Sequence, residues 1–248
     1  MYQYILFDLD GTLTNSELGI TKSVQHALKK FGIEVEDRTV LRPFIGPPLG
    51  ESFQVYYGMS KEESERAIEY YRERFSVKGL YENEVYEGVE KMLQDLKESG
   101  KELILATSKP EKFTMLILEH FDLLKYFDFV AGATMDGSRG EKADVIRYAL
   151  ELSGIEDKSE VIMIGDRKFD ILGAKENGLA SMGVLYGFGD REELTEAGAD
   201  LILGTHPHVI QPVEWIEAEN GNRALCYYSS GNYVSTQYKP ATMLEAMA

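Results

Sequence analysis

The chain has one cysteine, Cys226, in 248 residues, so it forms no internal disulfide and must hold together by packing, which fits a reducing compartment. Positive charge is scarce. Lys+Arg number 26 against 42 Asp+Glu, a net charge of −16 that repels nucleic acid and anionic lipid. No positive segment followed by an apolar stretch opens the chain, because Asp8 and Asp10 interrupt the first apolar run, and no later run is long enough to span a bilayer. Internal repeats and low-complexity tracts are also missing. We therefore expect a cytoplasmic protein with no nucleic-acid or membrane partner. Its 44% hydrophobic composition suffices for one large domain, or for a domain carrying an insertion.

What is present is organised around Tyr4-Ile5-Leu6-Phe7-Asp8-Leu9-Asp10-Gly11-Thr12, a short apolar run that stops at two carboxylates and a glycine. An unbroken run of this length reads as a parallel strand buried on both faces. Its carboxyl end is where open α/β sheets bind ligands, so Asp8 and Asp10 face one crevice. An Asp-x-Asp is also what a capped strand-to-loop turn produces; the later strand ends decide between the two.

From Asn15 the spacing becomes helical, with Val24, Ala27, Leu28 and Phe31 on one face and Gly32 as a stop. The stretch from Arg42 to Gly50, with three prolines and two glycines, reads as an irregular loop between helices. Ser60-Lys61-Glu62-Glu63 is a capping box that starts a helix with Ala67, Ile68, Tyr71 and Phe75 on one face. Residues 15 to about 84 thus read as wholly helical. Helix and strand then alternate: a helix ending at Gly100, a strand Glu102 to Ala106, a helix through Phe113 and Ile117, and a strand near Phe127 to Ala131. A helix from Glu141, a strand Val161 to Ile164, a helix from about Asp170 and a strand near Ser181 to Leu185 complete the series. This is the pattern of a doubly wound parallel sheet, an α/β fold. After about Asp200 to Gly204 the composition shifts toward Gly, Asn and aromatics, read as turns between short strands.

Four sites lie where a strand ends or a helix begins: Asp8/Asp10, Thr107/Ser108, Lys142 and Asp166/Asp170. In a parallel sheet those ends share an edge, so the groups can converge. Thr107 and Ser108 either cap the next helix or present a hydroxyl and an amide to an anion. Lys142 is either a surface lysine or one whose unfavourable place in a helix's first turn is relieved by a bound anion; Lys109 is similarly placed. Asp166 and Asp170 suit helix capping, yet with Asp8 and Asp10 they form a carboxylate cluster that repels itself unless it holds a cation, and hard oxygen ligands suit Mg²⁺.

Asp8-Leu9-Asp10-Gly11-Thr12-Leu13, a strand-ending Thr107, Lys142 and Gly165-Asp166-x-x-x-Asp170, in that order, resemble the haloacid dehalogenase superfamily over about residues 1–200. Within it the chain looks closest to the phosphoglycolate-phosphatase-like branch. The resemblance implies a Rossmann-like core over residues 1–14 and 85–203, with a helical cap over 15–84. It implies an Mg²⁺-dependent phosphatase acting on a small phosphorylated metabolite, as a monomer or homodimer. Asp8 becomes the nucleophile and Asp10 the acid and base. Thr107 and Lys142 hold the phosphoryl group together with Gly11, Ser108 and Lys109, while Asp8, Asp10, Asp166 and Asp170 bind metal. An acid two residues after the nucleophile favours phosphate chemistry over dehalogenation, and Asn15 stands where the family often has Asp. Arg42, in the loop resembling the substrate-facing cap loop, either meets a second anion on the substrate or is a solvated helix-end arginine. A mutase, nucleotidase or pyrophosphatase on the same site, and a non-catalytic phosphate-binding module, are the alternatives. The last 45 or so residues depart from the family. The segments from Gly204 to Glu214 and from Tyr228 to Ser235 resemble the end of a CapA-type protein of poly-γ-glutamate capsule synthesis, in which His206 and His208 correspond to a histidine motif. Residues 204–248 therefore read as a fragment appended to the core.

Overall fold

Alternate residues of the first strand face opposite layers. In the computed structural model, which describes residues 2–204 and 212–228, β1 (Tyr4–Phe7) sends Ile5 and Phe7 into one cluster with Leu103, Leu105, Ile162 and Ile164. Leu6 enters another with Ile104, Ala106, Val161 and Met163. Both faces are dry, which is why the run reads as unbroken rather than alternating.

After β1 come β2 (Thr14–Asn15), α1 (Glu17–Lys30), α2 (Leu49–Tyr57), α3 (Lys61–Arg74) and β3 (Glu84–Val85). The alternating part follows: α4 (Val89–Glu98), β4 (Glu102–Pro110), α5 (Glu111–His120), β5 (Phe129–Ala133), α6 (Lys142–Ser153), β6 (Val161–Gly165), α7 (Lys168–Glu176), β7 (Ala180–Val184), α8 (Arg191–Ala197) and β8 (Leu201–Leu203). Two further strands, β9 (Val213–Glu217) and β10 (Arg223–Tyr227), lie in the tail. The eight-stranded sheet has the order β5-β4-β1-β6-β7-β8-β10-β9, and every pairing is parallel except β10 with β9. Helices α4 and α5 pack with the first cluster, α6 and α7 with the second. The chain leaves β1 toward β4 on one side and returns to β6 on the other, so the crevice of a doubly wound sheet opens beside Asp8.

Two expectations change. Residues 15–84 are not wholly helical: β2 and β3 pair antiparallel, Thr14 with Val85 and Asn15 with Glu84, and tie together the two ends of the helical excursion. Two residues are too few for a period to register. The stretch from Arg42 to Gly50 is not irregular throughout either. Arg38–Phe44 is a 3-10 turn that contains Pro43, and α2 starts at Leu49 behind Pro48. Proline is tolerated where no backbone N–H is needed. The α3 capping box forms as read, with Ser60 and Glu63 exchanging side-chain bonds to each other's amides.

The described tail continues the sheet. β10 runs parallel to β8, and its Ala224 and Cys226 are buried with Leu194, Ala197, Ala199 and Ile202. His206 and His208 lie outside the described residues. No helix among the described residues is long and apolar enough to cross a membrane.

Candidate active site

β1 ends between β4 and β6, and the amide of Asp8 donates to the Ile164 carbonyl at 2.9 Å, which sets the Asp8 side chain at the sheet edge. Lys142, the first residue of α6, reaches across with its Nζ 2.6 Å from Asp8 Oδ1, 2.7 Å from Asp170 Oδ1 and 3.0 Å from the Ala106 carbonyl oxygen. Two carboxylates thus already face this lysine at its helix start. Lys109 Nζ stands 2.7 Å from Asp10 Oδ2 and 4.7 Å from the Phe75 ring centre. Each of the two N-terminal acids thus has its own lysine. Thr107 caps no helix: it lies in β4, and its Oγ1 accepts the Lys109 amide at 3.3 Å, while Pro110 stands at the start of α5.

Asp166 sits behind this floor with no exposed surface. Its Oδ1 accepts from Thr12 Oγ1 at 3.3 Å, and its Oδ2 accepts from the Phe188 amide at 2.7 Å. Gly187 packs so closely that a Cβ there would stand 2.3 Å from Asp166 Cβ and 2.5 Å from the Gly11 carbonyl oxygen. Gly11 itself has φ +88°, and a Cβ on it would meet Asp166 Oδ2 at 2.2 Å. Sequence reasoning missed Thr12, Gly187, Phe188 and Tyr186, whose hydroxyl donates to the Thr12 carbonyl at 2.9 Å. The available signal was Tyr186-Gly187-Phe188-Gly189, a glycine-rich turn straight after a parallel strand.

Carboxylate oxygens of Asp8, Asp166 and Asp170 lie within 4.8 Å of one another, and all three residues are buried. Burial first, then the Asp170 and Asp8 charges, pushes the Asp166 carboxyl well above the usual carboxylate range. Burial likewise pushes Asp170 up to about 6, against the pull of Lys142. Burial opposes the Lys142 ammonium, but Asp170 and Asp8 outweigh it and hold its pKa above the ordinary lysine value. Lys142 pairs with Asp8 and Asp170 but not with Asp166, and among the described residues Asp10 Oδ1 accepts no hydrogen bond. Such a set of hard oxygen donors fits a divalent cation.

A cavity of about 290 Å³ opens above this floor, between the sheet edge and the helices inserted between β2 and β3. Asp8, Asp10, Thr107, Ser108, Lys109, Lys142 and Asp170 all line it. Gly11 does not; its role is to leave room for Asp166. Arg42 does not line it either. Its Nε is 2.9 Å from Glu17 Oε1 and its side chain is 54% exposed, because the 3-10 turn carries it to the outside. Arg167, between the two acids of its motif, instead bonds the loop that follows, with Nη1 2.6 Å from the Ile45 carbonyl and Nε 2.9 Å from Glu193 Oε1.

Comparison with known proteins agrees with this layout. The model of the haloacid dehalogenase-like hydrolase family matches residues 5–184, and that of the bacterial capsule synthesis protein PGA_cap matches residues 191–237. The second match starts earlier than the compositional boundary and takes in α8 and β8. A 5'-nucleotidase of Pseudomonas aeruginosa is 46% identical over 193 residues, 78% of this chain and 87% of that protein. Tyrosine-protein kinase PtkA of Mycobacterium tuberculosis is 36% identical over 209 residues, 84% of this chain and 70% of that one. A phosphoglycolate phosphatase of Vibrio parahaemolyticus is 27% identical over 217 residues, covering 84% and 95%. Among solved structures, that of a predicted phosphatase from Clostridium acetobutylicum superposes with a TM-score of 0.80 at 53% identity, over 82% of this chain and 93% of that one. With the family model spanning most of its length and the motif residues meeting at one sheet edge, the chain belongs to the haloacid dehalogenase-like hydrolases.

Proposed function

We propose that this protein is a phosphatase that cleaves small phosphate monoesters through an aspartyl phosphate on Asp8. The observation that carries this reading is a pair of acids at the floor of one cavity, Asp8 salt-bridged to Lys142 and Asp10 to Lys109. A carboxylate oxygen of Asp8 attacks phosphorus while the ester P–O bond breaks, and Asp10 gives its proton to the departing oxygen. Asp10 then takes a proton from water as that water attacks phosphorus. The bond to Asp8 breaks, releasing inorganic phosphate and restoring both acids. Thr107, Ser108 and Lys142 hold the phosphoryl oxygens, and residues 15–84 act as the cap that shuts out bulk water.

Asp8, Asp166 and Asp170 would hold Mg²⁺, with Asp10 contributing through its backbone. The bound ion supplies the positive charge that lets a carboxylate approach a phosphate dianion. The cavity suits a leaving group of sugar or nucleoside size, and the name of the 46%-identical relative points the same way. The test is phosphate release from p-nitrophenyl phosphate with Mg²⁺ and with EDTA, for the native chain and for Asp8→Asn. We expect metal-dependent turnover that falls at least about a thousandfold in Asp8→Asn. A well-folded native chain with no turnover would sink the reading.

A further inference from the structure

We infer that Arg72 sets substrate specificity by donating to an acceptor oxygen on the leaving group, a step beyond the phosphatase reading on which it rests. Helix α3 and the residue that follows it turn one face to the cavity, Ile68, Tyr71, Arg72 and Phe75, at the i, i+3, i+4, i+7 spacing of a single helical stripe. Three of these four are apolar or aromatic; Tyr71 and Phe75 are stacked at 5.0 Å. Arg72 is the one charged side chain that the inserted helices and their loops bring to the cavity wall.

The other cations of the wall are already matched with carboxylates. Lys142 faces Asp8 and Asp170, Lys109 faces Asp10, and Arg167 faces Glu193. Arg72 has no carboxylate partner among the described residues. Its one hydrogen bond there runs from Nη2 to the Met135 carbonyl at 3.0 Å, on a loop that itself borders the cavity through Thr134 and Gly137. A guanidinium has five N–H donors, so most of its capacity is left for a ligand. Beside an apolar wall, where competition from water is reduced, a charge-assisted bond from such a group discriminates strongly. The matching leaving group carries an oxygen acceptor, either a carboxylate or a ring carbonyl.

The test compares phosphoglycolate, which offers a carboxylate, uridine monophosphate, which offers ring carbonyls, and phenyl phosphate, which offers neither. For the native chain, Arg72→Gln and Arg72→Lys, the quantity read is the ratio of kcat/KM for each acceptor-bearing ester to that for phenyl phosphate. We expect Arg72→Gln to lower the ratio for the preferred ester about ten- to a hundredfold, mainly through KM, with Arg72→Lys recovering part of it for a carboxylate. Loss of the carboxylate ester alone, or of the carbonyl ester alone, identifies the acceptor. An unchanged ratio, a parallel fall for all three esters, or a native chain that prefers phenyl phosphate overturns the inference; a parallel fall would assign Arg72 to tethering the Met135 loop. Calorimetric binding of the same esters to Asp8→Asn, with and without Arg72→Gln, separates the two claims. Arg72-dependent binding without native turnover sinks the phosphatase reading alone, and Arg72-independent binding with turnover sinks this inference alone.

Discussion

Lys142 is the residue on which the charge balance of the floor turns, because among the described residues it is the one ammonium paired with the buried carboxylates of Asp8 and Asp170. Removing it strands two like charges in a dry site. Lys142→Met should cost about 3 kcal/mol of stability in EDTA, a fall in Tm of about 6–12 °C for a chain of this size, and added Mg²⁺ should recover part of it. Calorimetric melts with and without metal check this; equal losses in both conditions would show that the lysine and the cation do not share the same charge. The sequence showed Lys142 as a cation in the wrong helix turn but not its partners, since Asp8 is distant in the chain. Arg42 shows the same limit from the other side. Which of the arginines in the inserted helices faces the cavity depends on how α3 and the 3-10 turn pack, and Arg72 rather than Arg42 does so.

At the scale of elements, the site is a strand end closed from behind by a glycine turn. Gly187 has no room for a methyl group beside Asp166, so Gly187→Ala should displace that carboxylate and weaken metal binding at least about tenfold, read as a smaller Mg²⁺-induced rise in Tm. A normal rise would mean the turn yields without moving Asp166. The excursion that carries α1 to α3 has its own anchor in Glu82, which pairs with Arg74 at 2.7 Å and Lys22 at 2.9 Å. The hydrogen bond from Arg74, followed by that from Lys22, lowers the Glu82 carboxyl from its ordinary 4.5 to about 2. A depressed acid stabilises the fold above its unfolded pKa and loses that contribution as pH falls through the folded one. Glu82→Gln should therefore cost about 1 kcal/mol at neutral pH, a difference that shrinks between pH 4.5 and about 2. A constant difference across that range would remove the ion pairs as its cause. Strands buried on both faces and capped helices could be read from the chain, because apolar runs and capping residues are local. The β2–β3 pair could not, since pairing between remote segments leaves no period in either, and the glycine-rich turn after β7 could be read as a turn but not as the cover of Asp166.

Across the whole molecule, the sheet ignores the boundary that composition draws near Asp200. Leu201–Leu203 is a short strand with an open edge, and β10 fills it with Ala224 and Cys226 facing α8. No described tail residue lines the cavity. A chain ending at Gly204 should lose about 2 kcal/mol, or about 4–8 °C in Tm, while turnover per folded molecule holds. A collapse of turnover in the folded fraction would show instead that the tail supports the site.

The two-residue ribbon of β2 and β3 carries a consequence of another kind. Thr14 and Val85 are paired neighbours, so the whole excursion leaves and re-enters the core through a gap of about 5 Å. Residues 16–83 could be exchanged for a tight hairpin turn without moving either end. The four acids and their lysines lie outside that stretch, and Lys109 would lose its Phe75 neighbour. What would change is admission: a cavity of about 290 Å³ walled by the inserted helices would become an open ledge, within reach of a phosphate displayed on the surface of another folded protein.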